Sequence, residues 1–258
     1  RNFVNHKELR MKRGASLLIS LAVLLFLTNP FSLIADEIVV NLESRIVESF
    51  DDPDAQQWYV GASKFIAEGF PLTTYASAWP ESLYGANLEK RDLRVLGAQA
   101  AFDRTGYNSL EFIPVAQNQA GELQPAPIKL PGRVKTVDLW VWGSNYDYYM
   151  EAHVRDFNGR VHVLRLGGIK FVGWQNLSAH IPSYVPQAGG YVTSGGFIKN
   201  LELVKLVLWT RPEENVSGFN VYIDQIKILT DTFVTRFDGD KLADPQWVQD
   251  VWSNAEGR

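Results

Sequence analysis

The sequence predicts an all-β chain: an antiparallel β-sandwich or jelly roll, closed by one short C-terminal helix. Three observations carry that class. Apolar and polar residues alternate with a period of two over many short runs, as in "VKTVDLWVWG" and "YYMEAHV". Clusters such as "DFNG", "PQAGGYVTSGG" and "RPEENVSG" supply turn chemistry between the runs. Helical periodicity is nearly confined to the last residues, so crossover helices of a parallel sheet are not expected.

The elements follow in chain order. Residues 1–10 precede Met11 and read as upstream or non-native sequence, outside the fold. "MKRGASLLISLAVLLFLTNPFSLIADE" then runs from the cations Lys12 and Arg13 through an apolar stretch, Ala15 to Leu27, to small Ala35 before Asp36. That order is a secretory signal peptide over residues 11–35, cleaved after Ala35, with an uncleaved anchor as the alternative. The apolar stretch falls short of the ~20 residues of a membrane span, so no stable membrane anchor remains after cleavage. Residues 36–235 are assigned to one β-sandwich domain and 236–258 to a C-terminal extension. A chain of this size buries a core large enough to dispense with disulfides, and it has no cysteine. Its 8 tryptophans, 10 tyrosines and 14 phenylalanines supply large buried areas per residue.

Within the domain, "IVESFDDPDAQQW" reads as an entering strand and a loop that returns Trp58 to the core. Pro114, Pro125, Pro127 and Pro131 bracket "VAQNQAGELQ", an exposed excursion. In "VKTVDLWVWG" the alternation places Val137, Leu139 and Val141 on one face, with Asp138, Trp140 and Trp142 on the other. In "YYMEAHV", Tyr148, Met150, Ala152 and Val154 point inward and Tyr149, Glu151 and His153 outward. A hairpin follows. With Gly159 in the left-handed conformation it pairs Asp156 with Arg160, Glu151 with Arg165 and Met150 with Leu166, a register that matches charges and keeps apolar partners together. "VHVLRL", "LELVKLVLW" and "FNVYIDQIKIL" are further strands. In "ADPQWVQDVWSN", Asp244 caps a helix with Pro245 at its first position, and Trp247, Val248, Val251 and Trp252 form a narrow apolar stripe.

Residues 1–35 hold five of the 25 cations and one of the 29 acids, so the remainder carries 20 cations and 28 acids, a net charge of −8. Such a chain repels phosphate backbones, which argues against nucleic acid as a partner. Catalytic constellations are missing from the sequence pattern. No serine stands in a G-x-S-x-G elbow, and a thiol nucleophile is impossible without cysteine. "GGIKFVG" lacks the spacing of a phosphate cradle. His153 and His162 fall on opposite faces in the preferred register, short of the converging ligands zinc needs. Asp138, Glu151 and Asp224 are scattered carboxylates rather than a placed acid/base pair. Asp224, with Glu48 or Asp51, offers the oxygen ligands calcium takes; the alternative is a strand-end hydrogen-bond acceptor. The expectation is therefore no enzyme, no cofactor and no catalytic or metal residues. Trp140 and Trp142 stay open: either a loop or the C-terminal helix covers them, or they form an exposed partner surface.

Several stretches together resemble one family, the outer-layer (sheath) protein of the spirochaete periplasmic flagellar filament, of the FlaA type. They are "VDLWVWGSNYDYYMEAHVRDFNGRVHVLRLGGIKFVGWQNLSAHIPSYVPQ" and "RPEENVSGFNVYIDQIKILTDTF", with "ESFDD" and Trp58 resembling the family's start. The resemblance spans about residues 46–235. It implies a jelly roll like that of carbohydrate-binding modules and a secreted, non-enzymatic subunit on the periplasmic flagellum. The implied partners are flagellin core-filament subunits and other sheath subunits. On this view Trp174, after Gly173 in "FVGW", is a jelly-roll corner residue packing into the core, with an exposed contact residue as the alternative. The candidate contact residues are Trp140, Trp142, Tyr146 and Tyr149, taken as one face, and the Trp247/Trp252 stripe. A periplasmic carbohydrate-binding module-like protein, stacking sugars on the same aromatics, is the second reading.

Overall fold

The computed structural model describes residues 41–86, 92–187, 200–232 and 245–255. The signal segment, the helix cap Asp244 and the rest of the segment leading to the helix lie outside them. In chain order the strands are β1 (Leu42–Glu48), β2 (Gln57–Ala62), β3 (Leu72–Ala76), β4 (Val95–Ala100), β5 (Ser109–Gln117) and β6 (Leu123–Pro125). They continue with β7 (Ile128–Leu130), β8 (Arg133–Ser144), β9 (Tyr149–Arg155), β10 (Val161–Gly168), β11 (Val172–His180), β12 (Leu201–Trp209) and β13 (Phe219–Asp231). A single turn, α1 (Glu81–Tyr84), and the C-terminal helix α2 (Pro245–Ala255) are the helices of the described residues.

The strands form two antiparallel sheets, the sandwich the alternation predicts. Sheet A runs β11-β8-β13-β4-β3, with β1 added along the C-terminal half of β13. Sheet B runs β10-β9-β12-β5-β2, with β6 on β5 and β7 on β12. The core lies between them. Val137, Leu139 and Val141 of β8 and Tyr148, Met150, Ala152 and Val154 around β9 are all fully buried, as their period-two spacing requires. Each Val, Leu and Met side chain among them contributes about 1.5–3 kcal/mol of burial free energy, which is how a chain without disulfides holds two sheets together.

Gly159 is left-handed (φ 84°), and the Asp156 amide donates to the Arg160 carbonyl at 2.9 Å. Glu151 stands opposite Arg165, as expected. Two details differ. A bulge after Arg165 places Gly167, not Leu166, opposite Met150. Charge matching is also not what fixes the register. The Asp156 carboxylate instead accepts from the Asn158 and Arg160 amides at 2.8 and 3.0 Å and binds His162 at 2.7 Å, closing the turn as a local cap.

Trp58 returns to the core edge, 5.3 Å from Phe50 between ring centroids, and its indole N–H donates to Glu48 at 3.0 Å. The excursion after Pro114 is an ordered hairpin, β5 to β6, whose Asn118 side chain accepts from the Ala120 and Glu122 amides at 2.9 Å each. Strands β3, β4, β5 and β11 carry weaker alternation, and the pattern alone does not single them out.

One irregularity shapes the outer surface of sheet A. β13 changes neighbours from β4 to β1 near Asp224, and the ladder to β8 slips between Asp224 and Lys227. Gln225 sits at φ 49°, a cost accepted where two ladders must be joined by one strand.

Candidate functional site

The outer face of sheet A carries a strip of aromatic rings. Trp174 on β11 lies directly opposite Trp142 on β8, which lies opposite Tyr222 on β13, which lies opposite Gly97 on β4 and then Thr74 on β3. Directly opposed residues share a face, and Val141 beside Trp142 is core, so the row is on the outside. Trp142 and Tyr222 meet edge to face, 5.6 Å apart at 81°. Gly97 is what lets the tyrosine lie down on the sheet: a Cβ there would stand 2.7 Å from its Cδ1 and Cε1 atoms. Beside Tyr222, residues Thr73, Thr74, Gln99 and Asn220 line a shallow groove of about 230 Å³.

The next row holds Asn176, Trp140 and Asp224. Trp140 is half-buried, and its indole nitrogen is buried without a hydrogen-bond partner, a defect worth about 1–3 kcal/mol. Asp224 is buried; it accepts from the Gln225 amide at 2.7 Å. Burial pushes its carboxyl up to about 8 against that hydrogen bond, and Asp51 and Glu48 add to the rise. Burial likewise raises Glu48, although Trp58 and backbone amides oppose it. Glu48 is occupied by Trp58 and the Phe50 amide, and Asp51 accepts from the Arg94 amide at 3.0 Å. Among the described residues no three metal-ligating side chains converge. A third row pairs Asp138 with Asn176 at 2.8 Å and with Lys227 at 3.4 Å.

The outer face of sheet B is built differently. Tyr149 is covered by two guanidinium groups, Arg165 at 4.8 Å and Arg211 at 5.2 Å. The Trp209 indole donates to Glu151 at 2.9 Å, and His153 meets the same carboxylate at 3.4 Å. Lys205 pairs with Glu111 at 2.8 Å and Arg155 with Glu202 at 2.6 Å.

The structure thus divides the expected contact set. Trp140 and Trp142 share the sheet A face. Tyr149 does not join them, because β9 belongs to sheet B and its outward side faces the opposite way. Tyr146 follows the left-handed Asn145 and turns back onto the core, stacked 5.3 Å from Tyr148 with its hydroxyl donating to the Gly218 carbonyl at 3.0 Å. Trp247 and Trp252 are 40% and 67% exposed on α2. Trp174 is neither a corner residue nor a core anchor. The strand continues through Gly173 (φ 92°), so the indole lands on the outer strip. Tyr222 also joins the strip. Its outward position is readable from "NVYID", but its neighbours depend on strand order, which alternation does not encode.

The family model described as flagellar filament outer layer protein FlaA matches residues 39–238. A flagellar filament outer layer-like protein of Brachyspira hyodysenteriae (strain ATCC 49526 / WA1) is 27% identical over 145 residues, 55% of this chain. The match spans 60% of that relative's length. Among solved structures, TmCBM61 in complex with beta-1,4-galactotriose is 15% identical, with a TM-score of 0.39 over 72% of this chain and 99% of that one. The family 11 carbohydrate-binding module of the cellulosomal cellulase Lic26A-Cel5E of Clostridium thermocellum is 12% identical, with a TM-score of 0.37 over 74% and 96%.

Proposed function

The chain belongs to the flagellar filament outer layer protein family, and from that membership we propose that it is a non-catalytic sheath subunit of a periplasmic flagellar filament. In this reading the secreted domain coats a flagellin core, contacts neighbouring sheath subunits, and contributes to filament assembly, shape and motility. The observation that carries the contact assignment is the Trp174–Trp142–Tyr222 strip with Trp140 beside it. These rings are half-buried, Trp142 and Tyr222 meet edge to face, and the row runs inward from the edge strand β11. Rigid aromatic side chains of this kind bury large areas at little entropy cost and dominate protein contacts. Trp247 and Trp252 on α2 are a second pair of exposed rings; the contact between this chain and a core of different subunits is heterologous, so it can draw on a patch other than the one sheath subunits share. Among the described residues no helix is long and apolar enough to cross a membrane.

A second reading rests on the groove beside Tyr222, where hydroxyls and amides flank an aromatic ring. That is chemistry a saccharide could use. Purified flagella decide between the two. Mass spectrometry of isolated periplasmic filaments should find this chain as a major component whose N-terminus is Asp36. Its absence from filaments, together with a glycan-dependent shift of tryptophan fluorescence in the free protein, would replace the sheath reading with the saccharide reading.

A further inference from the structure

We infer that β11 is a docking edge for a second copy of this chain, which adds antiparallel about a two-fold axis through Asn176. Every β-sheet edge presents unpaired amides and carbonyls, and proteins blunt them with charge, bulges or shortness. The other edges of this sandwich, β2 excepted, show such devices. β1 carries Glu43 and Arg45 and a bulge. β10 carries Arg165 and a bulge beside it. β3 has five residues, β6 and β7 have three each, and β2, uncharged, has six. β11 has nine residues, "VGWQNLSAH", with no Lys, Arg, Asp, Glu or Pro and an unbroken register to β8.

The hydrogen-bond parity is known at both ends of the strand. The Phe171 carbonyl accepts from the Asn145 amide at 2.8 Å, and the Ile181 amide donates to the Lys135 carbonyl at 2.9 Å. Odd-numbered residues therefore point their backbone groups into β8. Val172, Trp174, Asn176, Ser178 and His180 point theirs away from it. No described residue takes those outward groups in a backbone bond, and Val172 at the start of the strand is 76% exposed. An antiparallel copy centred on Asn176 sets 172 opposite 180, 174 opposite 178, and 176 opposite itself. The full length of the edge is then used, no like charges meet, and each copy's Trp174 continues the aromatic strip beside the partner's Ser178. A two-fold contact of this kind is self-complementary, so one edge serves both partners.

This edge contact refines the proposed subunit–subunit association but stands apart from filament binding, because it is read on purified protein alone. Sedimentation of the full chain should show a dimer at micromolar concentration. Ser178→Pro removes an outward donor while leaving the β8 ladder intact, and should weaken the dimer at least roughly tenfold at unchanged circular dichroism. Asn176→Cys, in a chain otherwise free of cysteine, should form a disulfide-linked dimer on mild oxidation, since a directly opposed pair has Cα atoms about 5.5 Å apart. Asp54→Cys, on an exposed loop, should not. A wild type that stays monomeric to about 100 µM overturns the inference. So does a dimer whose strength Ser178→Pro leaves unchanged, or oxidation that links position 54 as readily as position 176.

Discussion

The two outer faces of this sandwich use the same residue types to opposite ends. On sheet B, Tyr149 lies under Arg165 and Arg211, Trp209 is bound by Glu151, and the remaining charges are paired along the strands. Tyr149 and Trp209 there already have polar or cationic partners within the subunit, while Tyr59 on β2 is exposed. On sheet A Trp142 and Tyr222 pack edge to face, the Trp140 N–H has no acceptor, and Asp224, opposite Trp140 in the ladder, is buried with its pKa raised. A face whose groups are mutually satisfied is stable by itself. A face with a strip of half-buried aromatic rings has apolar area to gain from a partner.

The carboxylates give the largest way to test the contrast. Asp224 holds its proton to a pH of about 8 when folded, whereas the unfolded chain loses it near the ordinary aspartate value of about 4. Between those values the folded state binds more protons, so this residue makes stability fall as pH rises. Asp224→Asn keeps an acceptor for the Gln225 amide and removes the ionisation. Chemical denaturation above pH 8 should find the variant more stable than wild type by several kcal/mol, because each pH unit separating the folded and unfolded values is worth about 1.4 kcal/mol. The advantage should vanish as the pH approaches the ordinary aspartate value. Asp156, at the end of sheet B, has the opposite sign. Burial alone would raise it, but His162 and the Arg160 and Asn158 amides outweigh that and hold it below the usual carboxylate range. Its stabilisation is present at neutral pH and is lost as pH falls through the depressed value. Asp156→Asn should therefore cost stability at pH 7, with the cost shrinking as pH falls through the depressed value.

Next in size is the strip itself. Gly97→Val sets methyl groups where the Tyr222 ring edge lies, and should destabilise by about 1–3 kcal/mol with a changed near-ultraviolet tryptophan and tyrosine signal. A normal spectrum and melting temperature would show that the ring does not rest on that glycine. The smallest effect is expected on sheet B: Lys205→Met, which removes one partly exposed ion pair, should change stability by less than about 1 kcal/mol.

Much of this architecture is legible in the residues. Alternation places Val137, Leu139, Val141 and the β9 side chains correctly, because a half-buried strand is obliged to repeat every two residues. The turn at Gly159 fixes the hairpin for the same local reason, whereas alternation does not place the bulge after Arg165, where Gly167 takes φ 148°. A helix covers Pro245–Ala255, where the sequence pattern expects one. Strand order is not legible. Sequence adjacency of β8 and β9 groups Tyr149 with Trp140 and Trp142, yet the chain crosses from one sheet to the other between them. A glycine before a tryptophan suggests a corner at Trp174, while here Gly173 takes a positive φ inside a continuous strand. The strip becomes visible only once β11, β8 and β13 are known to be neighbours.

The most direct measurement compares the two faces on one assay, co-sedimentation with purified core filaments. Trp140→Ala with Trp142→Ala, folded by circular dichroism, should stay in the supernatant, while Trp209→Ala should pellet with the filaments like the wild type. If the sheet A double variant pellets normally, or if both variants are lost equally, the aromatic strip is not the surface by which this protein meets its filament.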